Sequence, residues 1–186
     1  MLPVSDAGPC RGEALLWVVC GSGRGVGKTH LARALCDILP ESAYAKQGAS
    51  RRKPGRARSF FRTNAEMDAF LRRARAARHR HVVVESNALV LRGAGDIIIF
   101  VAGEVPAGER GLPCGADAGH AVPRGPRPDA GLLRSLAHVV LDAGGPATDP
   151  SGWGETLAGK GLEPAVIGQV LDALVAQAQW NRRPRG

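Results

Sequence analysis

The chain has 186 residues, 44% of them hydrophobic and 23% charged, a balance that excludes a wholly disordered chain and suits a globular domain. That length supports one domain with its own core and is short for two. The net charge of +8 is concentrated: residues 51–80 carry eleven basic side chains against Glu66 and Asp68, which leaves the rest of the chain at −1.

Strand and helix signals alternate from residue 14 onward. Ala14–Cys20 is short and nearly all apolar, the pattern of a strand buried on both faces. A glycine-rich turn follows, then a helix over about Lys28–Leu39 with Leu31, Ala34, Leu35, Ile38 and Leu39 in one stripe and Pro40 as its stop. Ser42–Lys46 is expected as a second strand, and residues 47–62 as a loop rich in Gly and Arg. Thr63 and Glu66 have the spacing of a capping box. The helix they open runs to about Arg78, with Met67, Phe70, Leu71, Ala74 and Ala77 facing inward.

His81–Glu85, Asp96–Val101 and His138–Asp142 read as three further strands, with a short helix over Asp129–Leu136 before the last. Pro164 opens a final helix whose stripe is Val166, Ile167, Val170, Leu171, Leu174 and Val175. Residues 103–131 form a Gly/Pro-rich insertion too long for an ordinary connection, and Asn181–Gly186 read as a frayed tail. The whole predicts a single α/β domain over residues 1–186, with a mostly parallel sheet covered by helices on both faces.

The apolar runs fall well short of the ~20 residues that span a bilayer. The amino-terminal segment carries no secretion pattern, so the expected compartment is the cytoplasm, with no membrane partner. The basic segment suits an anionic partner, but with only Phe60, Phe61 and Phe70 it is poor in the aromatics that a single-strand stacking platform needs. Of the four cysteines, Cys20 and Cys36 fall in apolar patterns and read as small buried hydrophobes. Cys114 and His120 share a loop without the second pair that structural zinc requires.

The strongest chemical signal is the run Gly21-Ser22-Gly23-Arg24-Gly25-Val26-Gly27-Lys28-Thr29, set between a buried strand and an amphipathic helix. Glycines allow successive backbone N–H groups to turn inward as an anion nest, and the following helix aims its positive end at the same point. Lys28 is placed to reach β- and γ-phosphates, and the Thr29 hydroxyl to hold Mg²⁺. Gly23, Arg24, Gly25, Val26, Gly27, Lys28, Thr29 and His30 are therefore the candidate nucleotide-binding residues. His30 also reads as a helix-start residue rather than a catalyst. Ser22 stands where GxxxxGK[ST] has its first glycine, with Gly21 one residue earlier.

His81–Glu85 ends in a carboxylate on the same edge of a parallel sheet as the turn. Glu85 is therefore the candidate acid, with Lys28 for catalysis and with Thr29 as a metal ligand. Lys46 and the guanidinium-rich stretch Arg51–Arg62 are candidates to clamp a second, anionic ligand. Asp142 ends a strand where a guanine reader would carry Asn-Lys-x-Asp. No such lysine is present, so GTP and ATP stay open. His79 and His81 lack metal-ligand spacing.

The run Gly25-Val26-Gly27-Lys28-Thr29 resembles the P-loop class that includes dethiobiotin synthetase, the ParA/MinD ATPases and the MobB-type adapter of molybdopterin-guanine dinucleotide biosynthesis. Gly23 occupies the position of the signature lysine of ParA/MinD proteins, which argues against their ATPase dimer. Tyr44-Ala45-Lys46-Gln47-Gly48 and Lys53-Pro54-Gly55 resemble the second strand and basic loop of the MobB type. The resemblance covers roughly residues 14–102.

It implies a three-layer P-loop NTPase fold, Mg²⁺ with GTP or ATP as cofactors, and slow hydrolysis at most. It further implies an accessory role in molybdenum-cofactor maturation, with a pterin cofactor as second ligand and a homodimer or a molybdenum-cofactor protein as partner. Two alternatives stand beside it: an ATP-dependent small-molecule ligase or kinase resembling dethiobiotin synthetase, and a nucleic-acid-binding NTPase using residues 51–80.

Overall fold

The computed structural model describes residues 13–48, 59–103, 128–142 and 151–181. Twelve elements follow in order: β1 (Leu15–Gly21), α1 (Lys28–Ile38), β2 (Ser42–Gln47), β3 (Phe60–Phe61), α2 (Asn64–Ala76), β4 (His81–Glu85), α3 (Asn87–Leu91), β5 (Ile97–Val101), α4 (Ala130–Ser135), β6 (Val139–Leu141), α5 (Ser151–Ala158) and α6 (Pro164–Asn181). The strands form one six-stranded sheet in the order β3-β2-β4-β1-β5-β6. Every pairing is parallel.

Alternation along the strands explains the layering, since successive side chains point to opposite faces. Trp17 and Val19 of β1, Val83 of β4, and Ile97, Ile99 and Val101 of β5 pack with Leu31 and Leu35 of α1, Trp153 and Leu157 of α5, and Val170 and Leu174 of α6. Leu16, Val18, Cys20, Val82, Val84, Ile98 and Phe100 pack on the other face with Met67 and Ala74 of α2, Leu89 and Val90 of α3, and Leu133 of α4. β1, β4 and β5 are apolar on both sides because helices cover both sides. The expected α/β architecture is observed as a three-layer sandwich, and its sheet is parallel throughout rather than mostly.

Several local readings are corrected. β3 lies inside the stretch read as loop, and α3 and α5 were not foreseen as helices. Ala77, expected to face inward, is the exposed C-cap of α2, and Arg78 beyond it adopts a left-handed φ of 61° that ends the helix. Cys36 is half-buried rather than buried. In α6 the position after Val170 and Leu174 on the buried face belongs to Gln177, with Val175 only partly covered. Most of the 103–131 insertion, Arg51–Arg58, Cys114, His120 and the tail beyond Asn181 lie outside the described residues.

Candidate functional site

The glycine-rich turn leaves the carboxyl end of β1, at the centre of the sheet, and feeds α1. Its entry is fixed from two sides. A Cβ on Gly21 would stand 2.4 Å from the Val101 carbonyl oxygen, so the strand end admits only glycine. The Ser22 N–H donates to that same carbonyl at 3.2 Å, and the Ser22 hydroxyl accepts from the Gly103 N–H at 3.1 Å. The Asn87 side chain then brackets Gly21, accepting from its N–H at 3.2 Å and donating to its carbonyl at 3.1 Å.

Further along, Gly25 and Gly27 hold φ of 75° and 92°, in the left-handed region that L side chains avoid. Gly27 is the N-cap of α1. No side chain caps this end, and no acidic residue lies in its first turn. The positive end of its dipole is therefore met by no acidic side chain of the helix itself. Lys28, half-buried, curls back so that its Nζ donates to the Gly23 carbonyl.

Beside this cradle stand Thr29, Lys46 and Glu85. Lys46 and Glu85 are partners in the register of β2 and β4, so their side chains share one face of the sheet. It is the face that carries Val83 and α1, and Thr29 comes to it from the first turn of α1. The Thr29 hydroxyl donates to Glu85 Oε2 at 2.6 Å. Lys46 Nζ donates at 2.9 Å to Thr29 Oγ1 and at 2.9 Å to Glu85 Oε1.

Glu85 is 6% exposed, so without partners its charge would be costly by several kcal/mol. Neighbouring Tyr44 feels the same surroundings: burial first, then the Glu85 charge, pushes its phenol up to about 12.

The donor set suits a hard divalent cation. Thr29 and Glu85 would supply such an ion with two oxygen ligands, which here stand 2.6 Å apart and joined by a hydrogen bond. Such an ion takes its remaining ligands from water and phosphate. Among the described residues no group of three His, Cys, Asp or Glu side chains is arranged to hold a metal by itself.

The other expected residues divide clearly. Gly23, Gly25 and Gly27 line the turn through backbone alone, and Val26 is buried in the core, leaving only its main chain for a ligand. Arg24 is exposed. His30 stacks on Trp180 of α6, with ring centroids 6.4 Å apart and planes at 25°. Asp142 is engaged by Arg134 through paired contacts, one of them 2.9 Å.

Chain and family models have no match, and neither do chain and curated proteins.

Two features are absent from the sequence reading. Ser86 caps α3 by accepting the Leu89 N–H at 3.1 Å while donating to Gln47 Oε1 at 2.7 Å, and Asn87 pins the turn. The serine ahead of an apolar stretch was a legible cap signal; the contact of Asn87 with Gly21 was not. The second feature is the carboxyl end of α6, which leans on the turn. A Cβ on Gly27 would meet Gln177 Nε2 at 2.3 Å and Trp180 at 2.9 Å. A cavity of about 250 Å³ opens there between α1 and α6, lined by His30, Ala34, Ala173, Gln177 and Trp180 among others. Gln177 is 2% exposed, and its Oε1 has no hydrogen-bond partner. Among the described residues no helix is long and apolar enough to cross a membrane.

Proposed function

We propose that the protein binds a nucleoside triphosphate with Mg²⁺ in the turn Gly21–Thr29. One observation carries the reading: the Thr29 hydroxyl, directly after Lys28, meets the buried Glu85 carboxylate of a neighbouring strand at 2.6 Å. A glycine-rich turn that bound nothing would have no need of a hydroxyl and a buried acid at its exit. The start of α1, which no side chain caps, and the two left-handed glycines add support, because a turn of this shape before a helix N-terminus is the geometry that favours an anion. In this reading Lys28 and the backbone of Gly23–Thr29 hold the phosphates, and Thr29 and Glu85 hold the ion. With Mg²⁺ bound, the site neutralises charge on the terminal phosphates.

At the level of role, the reading is a MobB-like accessory protein in molybdenum-cofactor maturation, with slow hydrolysis at most. Its support is the turn together with Lys46 at the end of β2. A second reading, an ATP-dependent ligase or small-molecule kinase, is favoured by the basic segment. Its flanks pair beside Lys46, whose N–H donates to the Ser59 carbonyl at 2.8 Å, while the Gly48 N–H donates to Phe61 at 3.1 Å. The described end of that segment, Ser59–Arg62, thus stands beside the strand end that carries Lys46.

The test is calorimetric titration of GTP and ATP with Mg²⁺ on the wild type and on Lys28→Ala. Loss of a charge-assisted contact of ~1.5–3 kcal/mol weakens binding tenfold or more. Binding that depends on Lys28 is the expected result, and no binding of either nucleotide overturns the proposal. Strong preference for ATP with no affinity for the pterin cofactor overturns the adapter role. Turnover that no small acceptor alters overturns the ligase or kinase.

A further inference from the structure

Lys46 closes a triangle with the two groups assigned above to the metal. Its ammonium lies 2.9 Å from Thr29 Oγ1 and 2.9 Å from Glu85 Oε1, and the third side joins Thr29 to Glu85 Oε2 at 2.6 Å. We propose that Lys46 is a built-in placeholder: its ammonium stands in the divalent-cation position while no metal is bound, and Mg²⁺ enters by exchanging with it. The proposal rests on the reading above for the identity of the ion, and on the triangle for everything else.

Three features make an exchange the natural behaviour of this arrangement. Glu85 is buried to 6% exposure, and a carboxylate so enclosed calls for a cation beside it in every state of the site. The Lys46 side chain is 34% exposed, so its flexible stem can swing toward solvent without unpacking the core. A monovalent and a divalent cation cannot share the same two oxygens, since their repulsion at such range is large in a partly buried setting. Register partnership between Lys46 and Glu85 keeps the ammonium next to the site, ready to return when the ion leaves. Metal-free protein is thereby spared a lone buried charge, and divalent ions alone must compete with a tethered rival.

The experiment uses Mn²⁺ alone, with no nucleotide, and reads free Mn²⁺ by electron paramagnetic resonance on the full chain. Lys46→Met should bind Mn²⁺ about tenfold or more tightly than the wild type, because competition has been removed. In EDTA its melting temperature should fall below that of the wild type and recover when Mn²⁺ is added, since the ion binds only the folded state. Adding Glu85→Gln should abolish both effects. Equal Mn²⁺ affinity in wild type and Lys46→Met overturns the proposal, as does a gain that survives Glu85→Gln. Lys46→Gln carries the same expectations if Lys46→Met does not fold. Because nucleotide is absent, the two failures separate: a Mn²⁺ gain without nucleotide binding overturns the nucleotide reading alone, and nucleotide binding without the gain overturns the placeholder alone.

Discussion

Gly21 and Gly27 show how single positions set the turn. Gly21 needs space, because a methyl group there would collide with a backbone carbonyl of β5 that the sheet holds in place. Gly27 needs its left-handed φ of 92° as well as the room taken by Gln177. Gly21→Ala is expected to lower stability by ~1–3 kcal/mol, the range of overpacking, in urea denaturation. Gly27→Ala pays ~1–2 kcal/mol for the backbone and pushes the Gln177 side chain aside. A Gly21→Ala protein with the wild-type midpoint would contradict the close approach. The strand-to-helix turn around Gly27-Lys28-Thr29 was legible because its glycines stand between an apolar run and an amphipathic stretch. The contribution of Asn87 was not, because its partner is Gly21, remote in sequence, and no local pattern announces such a pair.

Elements were legible in proportion to their length and periodicity. β1, β4 and β5 declared themselves as apolar runs, and α2 through its capping box, which forms as expected: the Thr63 hydroxyl accepts the Glu66 N–H at 3.2 Å, and Glu66 accepts the Thr63 N–H at 2.9 Å. The Thr63 and Arg62 N–H groups, both donating to Glu66, hold its carboxyl below the usual range. Thr63→Ala should cost ~1 kcal/mol in chemical denaturation.

The elements that escaped notice are those whose stability comes from elsewhere. β3 has two residues and exists only by pairing with β2. α3 has five residues, too few to show a period. α5 carries Gly152 and Gly154, poor helix formers, and is held by burial of Trp153 and Leu157. α6 is anchored by Leu174, which is fully buried, so Leu174→Ala should cost ~2–5 kcal/mol. The same helix places Trp180, 41% exposed, beside the turn, while Trp17 and Trp153 are buried. If the turn takes a nucleotide as proposed, binding should alter the intrinsic fluorescence through Trp180, and Trp180→Phe should remove that change.

At the scale of the molecule, the three-layer parallel architecture followed from the alternation of apolar runs with amphipathic stretches. The meeting of Lys46, Thr29 and Glu85 in one triangle did not, because it depends on side-chain placements that spacing leaves free. The sheet also sets a pH response. Trp17 Nε1–H donates to His81 Nδ1 at 3.3 Å, and the Ile98 N–H donates to His138 Nδ1 at 2.9 Å, so each imidazole is needed neutral. Burial, followed by the charge of Arg80 for His81 and of Lys160 for His138, holds both below the usual 6.5. In the unfolded chain they charge near 6.5, so the stability is fully present above that pH and is lost as pH falls through the lower folded values. Unfolding free energy should decline as pH falls below about 6.5, ahead of any carboxylate effect, and His81→Gln with His138→Gln should flatten the decline. A wild-type profile already flat from neutral pH down to the carboxylate range would contradict the assignment.

The two borders of the sheet are β3, with two residues, and β6, with three. Long, flat borders are where sheets of separate molecules fuse, and stunted ones offer few free rungs for such zipping. Self-association by strand addition is thus closed off on both flanks among the described residues. Among the described residues, what is left for a second copy to meet is helix surface, a contact of side chains rather than of shared backbone.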